Sequence, residues 1–259
     1  MLTSQSKIAV SYQEPNQKQA AEKLTAALKL PMAETDKKYQ LLLNYTASGL
    51  ELRKPNDPRL TGSVQVNFTA GKEAFRRQQQ KQQKQELLIR AVGCRPDQPP
   101  TVLDGTGGLG RDSFILATAG CRVLVHEQHP VVAALLADGL QRAAAHPATA
   151  AIASRISLTR TDTVHTLLQM EKNGQQVDVI YLDPMFPTRR KSALVKKELQ
   201  MLQILTEKTA DQDQLLPAAL RVAACRVVVK RPCRAHSLND LSPSHALTGK
   251  TVRFDVYVC

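Results

Sequence analysis

Nothing in the sequence is apolar over a length that could span a bilayer, which excludes an integral helical membrane protein. The opening residues Met1-Leu2-Thr3-Ser4-Gln5-Ser6-Lys7 lack the apolar core of a secretory signal, so a cytoplasmic protein is expected. Cysteine is scarce. Cys94, Cys121, Cys225, Cys233 and Cys259 are odd in number, scattered and never in C-x-x-C spacing, which argues for reduced thiols and against a disulfide framework or a zinc site. Cys259 stands last rather than fourth from the end and makes no prenylation box. Acidic residues are also in deficit: 23 Asp and Glu face 35 Lys and Arg, a formal charge of +12. That excess favours a polyanionic partner such as RNA, DNA or an acidic membrane surface, solubility being the plainer use. No obligate protein partner is evident.

What is present is enough for a sizeable core. At 259 residues with 42% hydrophobic content, the chain can form one large domain or one domain plus a small one. It is organised around Thr101-Val102-Leu103-Asp104-Gly105-Thr106-Gly107-Gly108-Leu109-Gly110-Arg111-Asp112, a short apolar strand, a glycine-rich turn and the start of a helix. Glycines let the backbone approach a ligand closely, and the free N–H groups at a helix start favour polar or anionic ligand atoms. Gly105-x-Gly107-x-x-Gly110 fits the dinucleotide fingerprint, although a plain tight turn has the same spelling. No lysine follows the glycines, which excludes a P-loop. Asp104 ends the first strand and Glu127 the next apolar run, where a carboxylate can accept both hydroxyls of a ribose.

Residues 1–94 read as a small N-terminal α/β subdomain followed by a basic, Gln-rich segment. Its strands are expected at Ile8-Ala9-Val10, from Gln40 to Tyr45, at Leu50-Glu51-Leu52 and from Val64 to Phe68, with a helix near Asn16 to Leu30. The run from Arg76 to Gln85 is polar on every side and reads as a solvated helix or loop, or as a phosphate-contacting arm. Across 95–259 strand and helix alternate. Strands are expected at 101–104, 122–126, 156–159, 177–182 and 226–230, with helices from Arg111 to Gly120 and after Pro130. A turn at Gly249-Lys250 closes an antiparallel hairpin ending in Val252 to Val258. The expected architecture is α/β: a mostly parallel seven-stranded sheet with an antiparallel last strand, the mark of a methyltransferase rather than a dehydrogenase.

The fourth strand leads into Asp183-Pro184-Met185-Phe186-Pro187, at the carboxyl edge where open α/β sheets bind ligands. Flanking prolines restrict the loop, so the Asp183 carboxylate, the loop carbonyls and the Phe186 ring can share one geometry. The tract resembles the Asp/Asn-Pro-Pro-Tyr/Phe motif of S-adenosylmethionine (SAM) enzymes that methylate exocyclic base amines. Those enzymes hydrogen-bond the amine and stack the base on the aromatic. Arg189-Arg190-Lys191 leads into a helix whose Val195, Leu199, Leu202 and Leu205 face the core, leaving Lys196 outside. These cations suit phosphate contacts, with a charged solvent face as the alternative. His126, His129 and His165 show no metal-ligand spacing; surface or ligand-rim positions are expected and no metal is invoked.

Taken with Gly108-Leu109-Gly110-Arg111-Asp112, the tract Lys191 to Glu198 and Val227-Val228-Val229-Lys230-Arg231-Pro232, the Asp183 loop resembles that of the small-subunit ribosomal RNA guanine-N2 methyltransferase J family over most of the chain. The resemblance implies a class I SAM-dependent methyltransferase fold, SAM as methyl donor, and N2-methylation of a guanine near the 3′ end of 16S rRNA, presented as rRNA or as the small ribosomal subunit. It implies SAM contacts at Arg111 and Asp112, Glu127 and Gln128, Asp162 and Thr163, and Asp183, beside the loop residues Asp104, Gly105, Gly107 and Gly110. Asp183, Pro184 and Phe186 become the catalytic set, and Arg189, Arg190, Lys191, Lys196 and Lys230 the RNA-contacting cations. This chain has Gln128 where the family usually has Arg, and Asp162-Thr163 where it usually has Ser-Ser. A noncatalytic RNA-binding protein on the same scaffold is the alternative from another class, and an NAD-linked dehydrogenase a third.

Overall fold

A computed structural model describes residues 7–35, 39–55, 62–69, 87–184, 205 and 212–259. Two sheets account for the strands among them. The larger has seven strands in the order β10-β11-β9-β8-β5-β6-β7. Its parallel part comprises β5 (Thr101–Asp104), β6 (Arg122–His126), β7 (Ile156–Thr159), β8 (Val177–Leu182) and β9 (Ala223–Pro232). β10 (His245–Thr248) and β11 (Val252–Val258) form the expected hairpin, and β11 pairs antiparallel with β9. A parallel sheet covered on both faces needs strands that are apolar on both sides, and the central strand β8 meets this need with Asp178 as its one exposed residue.

Helices pack on the sheet where the sequence pattern demands cover. α2 (Arg111–Thr118) follows the glycine-rich turn. α3 (Pro130–Ala145) starts with proline at a position whose N–H would have no helical partner, and it buries Val131, Val132, Leu135, Leu136 and Ala143. The short α4 (Ala150–Ala153) precedes β7. Two further helices have no counterpart in the sequence reading: α5 (Thr163–Lys172), capped by the Asp162 carboxylate on the His165 N–H at 2.9 Å, and α6 (Gln212–Val222), which contains Pro217. β9 starts three residues earlier than expected, at Ala223. No described helix is long and apolar enough to cross a membrane.

The smaller sheet has the order β1-β2-β3-β4. β1 (Ile8–Tyr12) and β2 (Leu41–Thr46) pair in parallel, with α1 (Lys18–Leu28) in the intervening crossover; β3 (Gly49–Arg53) and β4 (Ser63–Gln65) add antiparallel neighbours. This unit does not keep a core to itself. Leu41, Leu43, Leu50, Leu52, Val64 and Val66 join Leu116, Val123, Val125, Leu135 and Leu136 in one apolar cluster. Asp138 and Arg142 of α3 seal the seam: the Asp138 carboxylate accepts the Leu50 N–H at 3.1 Å and the Arg142 guanidinium at 2.7 Å, and Arg142 donates to the Val66 carbonyl. β4 stops short of the expected Phe68, which leaves the sheet and stacks on Phe114 of α2, ring centroids 4.3 Å apart.

Candidate cofactor and target site

β5 delivers Asp104 to the carboxyl edge of the sheet, where it is buried. Its carboxylate accepts the Thr106 N–H at 3.0 Å and the Ser113 hydroxyl. Burial is the dominant influence and pushes the Asp104 carboxyl up to about 7, against the opposing pull of those two hydrogen bonds. The glycine loop then folds flat over the ends of β5 and β6. The Gly107 N–H reaches the His126 carbonyl at 2.9 Å, and a Cβ at Gly107 would meet Val125 Cγ1 at 2.5 Å and that carbonyl at 3.1 Å. Gly108 and Gly110 hold φ of +53° and +69°, the left-handed region that glycine enters without strain. A side chain at Gly107 would force the turn or Val125 of β6 to shift, and one at Gly110 would meet Leu136 of α3 at 2.5 Å.

The next strand supplies Glu127. Its two oxygens accept backbone N–H groups from Gly108 at 2.8 Å and His129 at 2.7 Å, which fixes the carboxylate at the loop's edge. Burial raises its pKa, and the backbone hydrogen bonds oppose that rise. Asp162 caps α5 after β7 and is exposed, as are Arg111 and Gln128. Thr163 behaves differently from a ligand-facing residue: it is buried and donates its hydroxyl to the Gly105 carbonyl at 2.7 Å, bracing the loop from beneath. His126, expected at the surface or ligand rim, is instead buried, and burial lowers its pKa. All five cysteines are free.

β8 brings Asp183 and the buried Pro184 to the same edge. The Asp183 N–H donates to the Thr106 hydroxyl at 2.6 Å. Its Oδ2 lies 2.5 Å from Lys230 Nζ, and the same ammonium lies 2.5 Å from Asp112 Oδ2. This corrects the expectation for Lys230: its side chain is 12% exposed and its charge sits between two carboxylates, not at the surface where phosphate would pass. Tyr181 completes the group by donating its hydroxyl to Asp112 at 2.6 Å. The expected Phe186, Arg189, Arg190, Lys191 and Lys196 lie outside the described residues.

Of the residues expected from the sequence, the fold gathers Asp104, Gly105, Gly107, Gly110, Asp112, Glu127, Asp162 and Asp183 along one edge. Thr106, Ser113 and Tyr181, which the sequence reading did not single out, hydrogen-bond to these residues. Tyr181 carried a usable signal, because residues i and i+2 of a strand share a face, and Asp183 is two positions on.

A family model described as "Putative SAM-dependent methyltransferase" matches residues 23–259. The chain is 44% identical over 255 residues to the ribosomal RNA small subunit methyltransferase J of Thioalkalivibrio sulfidiphilus, covering 98% of this chain and 99% of that one. The protein of the same name from Tolumonas auensis is 46% identical over 252 residues, covering 97% and 98%. The chain belongs to the ribosomal RNA small subunit methyltransferase J family. A crystal structure of a SAM-dependent methyltransferase from Neisseria gonorrhoeae, 33% identical, superposes with a TM-score of 0.76 over 96% of this chain and 95% of that one. The sheet is thus that of a class I SAM-dependent methyltransferase, and SAM is the cofactor. The residues present fit that molecule. Asp104 ends β5, and Glu127, Asp162 and Asp183 follow the neighbouring strands β6, β7 and β8, a set of acceptors suited to a sulfonium, an ammonium and a ribose diol, with a glycine loop against which an adenosine can lie.

Proposed function

We propose that this chain methylates the exocyclic N2 amine of a guanine in bacterial 16S rRNA, in the cytoplasm. The observation that carries the reading is the hydrogen bond from the Asp183 N–H to the Thr106 hydroxyl, because it ties the loop that would receive the base to the loop that would receive the methyl donor. The names of the relatives and the net charge of +12 support an RNA substrate.

A guanine N2 lone pair is delocalised into the ring and attacks poorly. Asp183 and the Pro184 carbonyl would accept hydrogen bonds from the amine, localising that lone pair and stabilising the positive charge that builds on nitrogen. Phe186 would stack on the unpaired base, and Arg189, Arg190, Lys191 and Lys196 would meet phosphates. Bound SAM supplies an electrophilic methyl whose leaving group departs neutral. No acid is needed, and the methylated nitrogen sheds its surplus proton to water, which the half-exposed Asp183 reaches, so Asp104, Glu127 and Asp183 contribute alignment and electrostatics.

The test is single-turnover methyl transfer to 30S subunits and to naked 16S rRNA at saturating SAM, with the product nucleoside mapped by mass spectrometry. N2-methylguanosine is expected, and Asp183→Ala should slow its formation by on the order of 10²–10³. No methyl transfer to either RNA would favour a noncatalytic RNA-binding protein. A variant keeping more than a tenth of the wild-type rate would remove Asp183 from catalysis.

A further inference from the structure

We propose that Lys230 is a positioning residue for methyl transfer, acting by bridging Asp112 and Asp183 so that the Asp183 carboxylate is held in a fixed relation to the cofactor loop; the inference rests on the methyltransferase reading above. Parallel pairing brings the residues together. Leu182 is paired with Val229, so the next residue of each strand, Asp183 and Lys230, emerges side by side at the carboxyl edge. Asp112 comes from the first turn of α2, beyond the glycine loop, and receives both Lys230 and Tyr181 on the same oxygen. One ammonium therefore joins the target loop to the helix that follows the cofactor loop.

Burying a lysine is costly unless its charge is met. Here burial works against the charged form, but Asp112 and Asp183 outweigh it and hold Lys230 cationic. The converse matters more for function. Asp104, Asp112 and Asp183 lie close enough for each of the latter two to raise the pKa of Asp104. Loss of Lys230 removes the ammonium that bridges two of these acids and leaves their mutual repulsion less offset. Asp183, whose side chain is 41% exposed, is the one that can turn towards water. A base amine would then meet an acceptor that spends little time in the productive orientation. The ammonium suits the task because its donors radiate from a single point and can serve two carboxylates from different elements. At saturating SAM the loss should fall on the chemical step, since the ammonium is taken up by Asp112 and Asp183 and is not offered to RNA phosphate.

A double-mutant cycle between Lys230→Met and Asp183→Ala separates this from a merely structural role. Three quantities are read: single-turnover rate at saturating SAM and RNA, RNA affinity across a salt series, and SAM affinity by calorimetry. Lys230→Met should slow transfer at least tenfold in the wild-type background and less than twofold in the Asp183→Ala background. RNA affinity and its salt slope should each stay within about twofold of wild type, and the SAM calorimetry sets the concentration that saturates each variant. Equal losses in both backgrounds, or an unchanged rate, would overturn the proposal. So would a salt slope flattened by about 0.7, the signature of one lost phosphate contact on single-stranded RNA. Should Lys230→Met fail to fold, Asp112→Asn carries the same cycle at a SAM concentration that saturates that variant, with a several-fold loss expected only where Asp183 is present. A wild-type protein that transfers no methyl to rRNA defeats the methyltransferase reading and this inference together, whereas an active wild type with an additive cycle defeats the inference alone.

Discussion

Thr106 and Asp183 stand 77 positions apart and meet through one hydrogen bond, the Asp183 N–H donating to the Thr106 hydroxyl at 2.6 Å. Thr106 also donates its own N–H to Asp104 at 3.0 Å, so this single residue sits between the acid that ends β5 and the acid that follows β8. The glycine-rich turn after β5 is consequently tied to the residue that follows β8.

Replacing Thr106 by valine keeps its shape and removes the acceptor. An unpaired, partly buried N–H at Asp183 should cost about 1–3 kcal/mol of stability and at least tenfold in single-turnover rate, while Thr106→Ser restores both. A valine variant with the wild-type rate would show that this hydrogen bond does not position Asp183.

Asp104 sets a pH dependence on the ligand-free protein. Its carboxyl is pushed from 3.8 in the unfolded chain up to about 7 by burial, so between those values the folded state keeps a proton that the unfolded chain has lost. Stability therefore falls as pH rises through this window, by at most about 1.4 kcal/mol per unit, and levels off above it. Urea unfolding from pH 4 to 8 should show Asp104→Asn gaining on the wild type as pH rises. A constant difference between the two would mean that Asp104 does not titrate there.

Glu127 holds the Gly108 and His129 N–H groups and is proposed to receive the ribose. Glu127→Ala should weaken SAM binding by about 1.5–3 kcal/mol, roughly ten- to a hundredfold. Calorimetry showing unchanged affinity would sink the ribose role.

Gly139 lets α3 approach the N-terminal sheet. A Cβ there would sit 2.6 Å from Val66 Cβ and 3.0 Å from the Val66 carbonyl. Gly139→Ala should thus destabilise the protein by about 1–3 kcal/mol despite the better helix propensity of alanine, lowering the melting temperature with little change in SAM affinity. An alanine variant as stable as wild type would mean that the two units do not meet at this seam.

The short-range features were legible in the sequence because short-range physics makes them. Gly108 and Gly110 announce a turn that only glycine takes easily, Pro130 marks a helix start, and Gly249 closes the last hairpin with its N–H on the Val252 carbonyl at 2.8 Å. The apolar runs of β5, β6 and β8 announce buried parallel strands, and the acids at their ends announce the edge where a ligand binds. α5 went unread although Asp162 is a sound cap, since its face carries a single fully buried leucine, Leu167, and gives a weak periodic signal.

The partners of those residues were settled only by the tertiary structure. Phe68 reads as the end of a strand, yet the nearby ring of Phe114 draws it onto α2. Lys230 reads as one more cation in a basic chain. Its neighbours depend on which strand lies beside β9 and in what register, and that choice is made by the packing of the whole sheet. With β8 alongside and Leu182 against Val229, Lys230 falls next to Asp183, and the burial of that edge turns a surface charge into an internal tie.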